Sequence, residues 1–300
     1  MSNFKQSPSH KQLTPEPLLP QILSQGLEFV VQFWGVRGLI PTPDNHTIHY
    51  GGNTACVEMQ IGGKRLVFDG GTGLRLLGKN WLQLQSPLNA HLFFTNSQSN
   101  RIQGFPFFAP AFKSENCFHI YGTAALNGAS IKQCLCDQML QPHFPYPLQF
   151  MQSELHFHNL TSGKVVRIDD VTITAAIINH EQKSIGYRVS WKDYSVAYLT
   201  DLSKIANEVD RKCVAQLAKN VNLLIANATY TTPAAPNHNE PDFHWGTAVN
   251  LAKTAKVNQL VISHHRPDDH DDFLDQVQIE VKSVFPKTLL AKENLVLPVV

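Results

Sequence analysis

The chain has 300 residues, of which 43% are hydrophobic and 16% charged, with a formal net charge of +1. That apolar share excludes wholesale disorder, and a chain of this size can bury a large core without disulfides or metals. Near-neutrality argues against holding nucleic acid mainly by phosphate neutralisation, which calls for a more basic balance.

Fourteen histidines are the compositional outlier. Their number points first to metal or acid–base chemistry, with ordinary surface histidine as the plain alternative. The five cysteines are Cys56, Cys117, Cys134, Cys136 and Cys213. Cys134 and Cys136 form C-x-C, which supports neither a zinc knuckle nor a thioredoxin-type pair. Residues 1–28 are polar and lack an apolar signal core, and no apolar run approaches the roughly 18 residues of a membrane span. The expectation is a reduced, soluble, cytoplasmic protein with no membrane contact.

In chain order, residues 1–27 read as a flexible tail punctuated by Pro15, Pro17 and Pro20. A domain over 28–300 follows. Strands are expected at Glu28–Phe33, Ala55–Ile61 and Lys64–Phe68, the last two joined by the turn signal Gly62-Gly63. Apolar runs at His91–Thr95 and Ile102–Phe108 flank a loop. Cys117–Tyr121 reads as a strand and Ala124–Gln138 as a helix ending before a proline-rich loop.

Leu148–Met151, Glu154–His158 and Val165–Ile168 read as short strands. Val171–Ile178, Ser184–Trp191 and Ser195–Thr200 read as a meander. The spacing then predicts a helix over Val209–Ala218, a strand over Asn222–Ala226, a helix over Thr247–Ala255 and a strand over Gln259–Ser263. Phe273, Leu274, Val277 and Val281 recur at helical spacing across Asp271–Val284. Two β-rich halves, each followed by helices, imply two facing sheets with helices outside, in an α/β layered arrangement.

Several segments carry a resemblance. They are Phe33-Trp34-Gly35-Val36-Arg37-Gly38, Tyr50-Gly51-Gly52-Asn53-Thr54, Phe68-Asp69-Gly70-Gly71-Thr72-Gly73 and Gln103-Gly104-Phe105-Pro106-Phe107-Phe108. Asn179-His180, Gly186-Tyr187-Arg188, Tyr198-Leu199-Thr200-Asp201 and His264-His265-Arg266-Pro267 continue it, in order, across roughly residues 28–300. The set resembles the metallo-β-lactamase-fold hydrolases, in the branch of ribonuclease Z and the phosphoribosyl cyclic phosphate phosphodiesterase. The resemblance implies an αββα sandwich of two mixed sheets with a metal site at one edge.

It also implies a ligand set. Family members carry H-x-H-x-D-H just before Q-G-F-P-F-F. Here Asn96, Gln98, Asn100 and Arg101 stand at those four positions. His180, Asp201 and His264 match the remaining ligand positions, although Glu181 replaces the proline usual after the first. Asn227 stands where relatives carry aspartate, and the region of Asp242 where G-H-S is usual. Amides bind transition metals poorly against water, and a guanidinium offers no lone pair. With four of seven ligands replaced, the two-metal route to an attacking hydroxide is expected to be lost. No residue is therefore assigned a catalytic role.

Two readings follow. One is a pseudoenzyme without metal, kept for binding, regulation or scaffolding. The other is a mononuclear phosphodiesterase holding one weakly bound Zn or Mn at His180, Asp201 and His264. Arg101 is expected either to take the cation's place and pair with Asp201 or to point outward; with Arg266 it could line an anion pocket. Asp69 is expected to orient a ligand or hold its loop. Trp34, Tyr187, Phe105 and Phe107 are expected in the core or the pocket wall. His265 and His270, beside four aspartates, are expected to be solvated, and His238 and His244 to lie on a surface loop. His156 and His158 alternate along a strand, one of whose faces is expected to be exposed. The partner classes are a phosphorylated small molecule or nucleotide, or a protein; a homodimer is a further expectation.

Overall fold

A computed structural model describes residues 27–84, 86–202, 207–227 and 245–300. The expected tail, and the calls on Asp242, His238 and His244, lie outside the described residues. The first sheet holds β1 (Phe29–Gly35), β2 (Cys56–Ile61), β3 (Lys64–Phe68), β4 (Asn89–Phe93), β5 (Cys117–Gly122), β6 (Glu154–Asn159) and β14 (Val296–Pro298), in the order β14-β1-β2-β3-β4-β5-β6. The second holds β7 (Val165–Ile168), β8 (Val171–Asn179), β9 (Ser184–Trp191), β10 (Tyr194–Leu199), β11 (Leu223–Asn227), β12 (Gln259–Ser263) and β13 (Thr288–Leu290), in the order β13-β12-β11-β10-β9-β8-β7.

Both sheets are built alike. β1 to β3 pair antiparallel, and β3 to β6 then add in parallel. β7 to β10 pair antiparallel, and β10 to β13 add in parallel. Parallel neighbours need crossovers, and these supply the helices. They are α1 (Gly73–Trp81), α2 (Ser99–Ile102), α3 (Ile131–Asp137), α4 (Glu208–Ala218), α5 (Gly246–Thr254) and α6 (Asp271–Val284).

Three apolar layers hold this arrangement together. Between the sheets lie Phe33, Phe68, Phe93, Tyr187 and Tyr198, with Phe68 and Phe93 stacked at 5.3 Å. Each such ring contributes roughly 1.5–3 kcal/mol on burial. Val214, Leu217, Val249 and Leu274 pack the second sheet against α4, α5 and α6. Leu74, Leu77, Phe105 and Phe108 pack the outer face of the first sheet. Helix, sheet, sheet and helix are thus four layers around three cores, the expected αββα sandwich.

Some expectations are corrected. The helix expected over Ala124–Gln138 begins only at Ile131, where Ser130 accepts from the Gln133 N–H as N-cap; Gly128 upstream has φ +85 and breaks the pattern. Leu148–Met151 is not a strand; Leu148–Phe150 is a 3-10 turn after Pro147. Phe105–Phe107 is likewise a 3-10 turn, and Phe107 is exposed rather than in the core. Phe273 is also exposed, while Leu274 and Val281 carry the buried stripe of α6. His265 is buried rather than solvated, with Nε2 2.7 Å from the Ala291 carbonyl. His270 is exposed as expected.

Candidate functional site

The site forms where strands of both sheets end. β3 runs into Asp69, β4 into the 95–101 loop, β10 into Thr200 and Asp201, and β12 into His264. Asp69 and His264 adopt left-handed backbone, φ 59 and 60, which turns each chain sharply as it leaves its strand. Carboxyl ends of parallel strands are the usual place for sites in such sheets. The adjacent glycine also has a reason. A Cβ on Gly71 would run into the Asn100 carbonyl and Thr54, so only glycine lets the 95–101 loop lie this close.

Asp69 is fully enclosed. Its carboxylate accepts from the Thr95 N–H at 2.7 Å, the Thr95 hydroxyl at 3.0 Å and the Tyr198 hydroxyl at 2.9 Å. The fourth donor is Nη1 of Arg101, in a short ion pair. Arg101 is only 4% exposed and does not point outward. Nη1 also meets the Thr200 hydroxyl at 2.7 Å, and Nη2 donates to the Thr200 carbonyl at 2.7 Å. Burial opposes charge on Arg101, but the Asp69 carboxylate prevails and holds the guanidinium more firmly protonated than usual.

The same Nη1 lies 2.6 Å from Nε2 of His264. A guanidinium can only donate, so this nitrogen must be the acceptor and the proton must sit on Nδ1. His264 is 1% exposed, and its pKa is pushed well below normal by burial and then by the Arg101 charge. The ring is therefore neutral, with its Nε2 lone pair occupied.

The expected pairing of Arg101 with Asp201 is corrected: the ion pair is with Asp69, and Asp201 acts on the guanidinium only through its charge. Asp69 lies one residue beyond β3, beside the Arg101 loop, and reaches the guanidinium first. Asp201 instead accepts from the Ser184 hydroxyl. With Nη1 and Nη2 on protein acceptors, Arg101 is also withdrawn from the anion pocket expected with Arg266. The Arg266 N–H binds the Asp269 carboxylate at 2.9 Å.

The amides at the other replaced positions knit the loop to the β8–β9 turn. Asn96 donates to the Ser184 hydroxyl at 3.0 Å, and its Oδ1 accepts from the Gln98 N–H at 3.0 Å. Gln98 donates to the Gln182 amide at 3.0 Å. Asn100 is buried in α2. Asn227 is buried at the end of β11 and accepts from the Leu202 N–H at 3.0 Å. His180 stands at the end of β8 with its side chain 51% exposed, and Nδ1 is held by the buried Asp210. The donor atoms of His180, Asp201 and His264 do not gather within 4.8 Å of one another.

A metal pair is not accommodated by these residues. Three amides and a cation stand in the loop, and the remaining buried imidazole lends its lone pair to that cation. What the arrangement offers instead is a polar cleft of about 390 Å³ lined by Asn96, Gln98, Thr123, Asn127, Gln182 and Lys183. Ser184, Thr200, Tyr198 and Asp210 were not singled out by sequence reasoning. The first three lie inside or beside quoted motifs, so their positions were legible there. Asp210 lies outside every motif, and only the fold brings it to His180.

Residues 64–265 match the family described as "Beta-lactamase superfamily domain", and the chain belongs to that superfamily. Within it the similarity runs to the ribonuclease Z-like branch. Ribonuclease Z of Anoxybacillus flavithermus is 23% identical over 190 residues, which covers 48% of this chain and 60% of that protein. The match thus spans less than two thirds of that relative's length. Human tRNase Z, short form, superposes with a TM-score of 0.62 at 17% sequence identity, covering 90% of this chain and 99% of that one. A diphosphatase from the PhnP family gives 0.63 at 15% identity, covering 90% and 97%. No helix among the described residues is long and apolar enough to cross a membrane.

Proposed function

We propose that this chain is a metallo-β-lactamase-fold protein in which the Arg101 guanidinium does the electrostatic work of the lost metals, leaving a binding rather than a hydrolytic site. The observation that carries the reading is the buried Arg101, shared between Asp69, Thr200 and His264. A fixed guanidinium balances the Asp69 charge, as a metal does for its surroundings in active relatives. It cannot activate water as a bound metal does, because it holds no exchangeable ligand.

The function that remains is recognition at the adjoining cleft. Asn96, Gln98 and Gln182 present amide donors and acceptors there, and Lys183 supplies a cation at the rim. This lining suits a polar, phosphorylated small molecule or nucleotide.

The test is phosphodiester hydrolysis by the full chain loaded with Zn or Mn, using bis(p-nitrophenyl) phosphate and a cyclic nucleotide. The expected rate equals that of Asp201→Asn. Metal-dependent turnover abolished by Asp201→Asn and by His264→Ala would contradict the proposal and restore the mononuclear hydrolase.

A further inference from the structure

A second set of metal-donor side chains lies away from this site, on β5 and the edge strand β6. Parallel pairing puts Cys117 opposite Glu154, His119 opposite His156, and Tyr121 opposite His158. Side chains two residues apart share a face, so Cys117, His119, Glu154, His156 and His158 all project from one side. His119 stacks on His156 at 4.8 Å and on His158 at 5.5 Å.

We propose that Cys117, His119 and His156 form a binding site for a borderline divalent transition ion of the zinc class, with Glu154 as the fourth donor. One ligand atom from each of the three residues lies within 4.8 Å of the others, and they are the only group among the described residues to do so. Cys117 Sγ and His119 Nε2 are 3.9 Å apart. A tetrahedral ion with bonds of about 2.0–2.3 Å needs its donors roughly 3.3–3.7 Å apart, so the Cys117–His119 pair closes by a few tenths of an ångström and a donor pair at the 4.8 Å limit by about 1 Å.

The surroundings also fit. His119 Nδ1 faces His158 Nε2 at 3.2 Å, and such a partner on the far ring nitrogen orients a ligating imidazole. Glu154 Oε1 lies 3.0 Å from His156 Nε2, and the same carboxylate reaches Cys117. All three ligating residues are partly exposed, which gives an ion access from solvent. A thiolate with two imidazoles and a carboxylate is a donor set that zinc prefers over magnesium or calcium. Binding releases the thiol proton.

The test is titration of the reduced, metal-free full chain with Co²⁺, followed by absorption and then displaced by Zn²⁺. The expected result is one equivalent showing tetrahedral bands and a thiolate-to-cobalt charge-transfer band. Cys117→Ser removes the charge-transfer band. Losing an orienting partner alone weakens such sites about tenfold or more, so His119→Ala and His156→Ala are each expected to weaken binding by at least that factor. Asp201→Asn leaves it unchanged. As a readout that needs no variant, Zn²⁺ slows alkylation of Cys117 but not of Cys134. The proposal is overturned by absence of the cobalt spectrum, by its survival in both histidine variants, by its loss in Asp201→Asn, or by alkylation of Cys117 that Zn²⁺ does not slow.

Discussion

Nη1 of Arg101 sits 2.6 Å from Nε2 of His264, joining a residue of the 95–101 loop to the end of β12 in the opposite sheet. The contact is a cation donating to a neutral imidazole in a place closed to solvent. It makes the arginine a structural link between the two sheets as well as a counter-charge for Asp69.

Removing that cation is expected to be costly. Arg101→Leu leaves the Asp69 carboxylate buried against only Thr95 and Tyr198. Stranding one member of a buried ion pair costs about 3–5 kcal/mol. Urea unfolding of the variant is expected to show a loss in that range, with Arg101→Lys falling between it and the parent chain. A loss no larger than that of a surface substitution would contradict the described pairing.

Acid is expected to weaken the fold. His265 is drawn down from 6.5 to about 4 by burial, and His264 lies well below its normal value. In the unfolded chain both bind protons near pH 6.5, so between there and their folded values the unfolded state holds more protons. Their stabilising contribution is present above that pH and is lost as pH falls towards 4. Denaturant midpoints measured from pH 7 downward test this, and His265→Gln is expected to flatten the slope. Equal stability at pH 7 and pH 5 would count against buried, neutral rings.

Asp210 holds the turn that carries His180. Its carboxylate accepts from the His180 N–H at 3.0 Å and from the Asn207 amide at 2.7 Å, besides the ring. Asp210→Ala is expected to cost about 1–3 kcal/mol and to speed amide exchange at His180 while leaving the strand core protected. Unchanged exchange would show that the turn is held by other means.

Much of the fold was legible because its strands are apolar runs with clear stops. Lys64–Phe68, Val165–Ile168, Ser184–Trp191 and Gln259–Ser263 appear with the bounds read from pattern alone. α1 was not read, because it starts at Gly73 and contains Gly78, glycines that speak for turns rather than helix. β13 and β14 are three residues each, too short for a periodicity to show. The unusual loop at Asn96, Gln98, Asn100 and Arg101 was visible in the sequence. The partner of Arg101 was not, since Asp69 and Asp201 both flank the site and only side-chain reach decides between them.

The Cys117, His119, His156 and His158 pattern was also present, as two strands with alternating donors. The alternation of His156 and His158 is legible, but nothing local says that their strand pairs in parallel and in register with Cys117 and His119.

The most direct test of Arg101 standing in for metal is the nitrogen spectrum of the His264 ring, recorded by long-range ¹⁵N–¹H correlation with and without Zn²⁺. The expected result is a neutral ring protonated on Nδ1, with Nε2 unshifted by zinc. A zinc-induced shift of Nε2 would show the metal displacing Arg101 and would contradict the account.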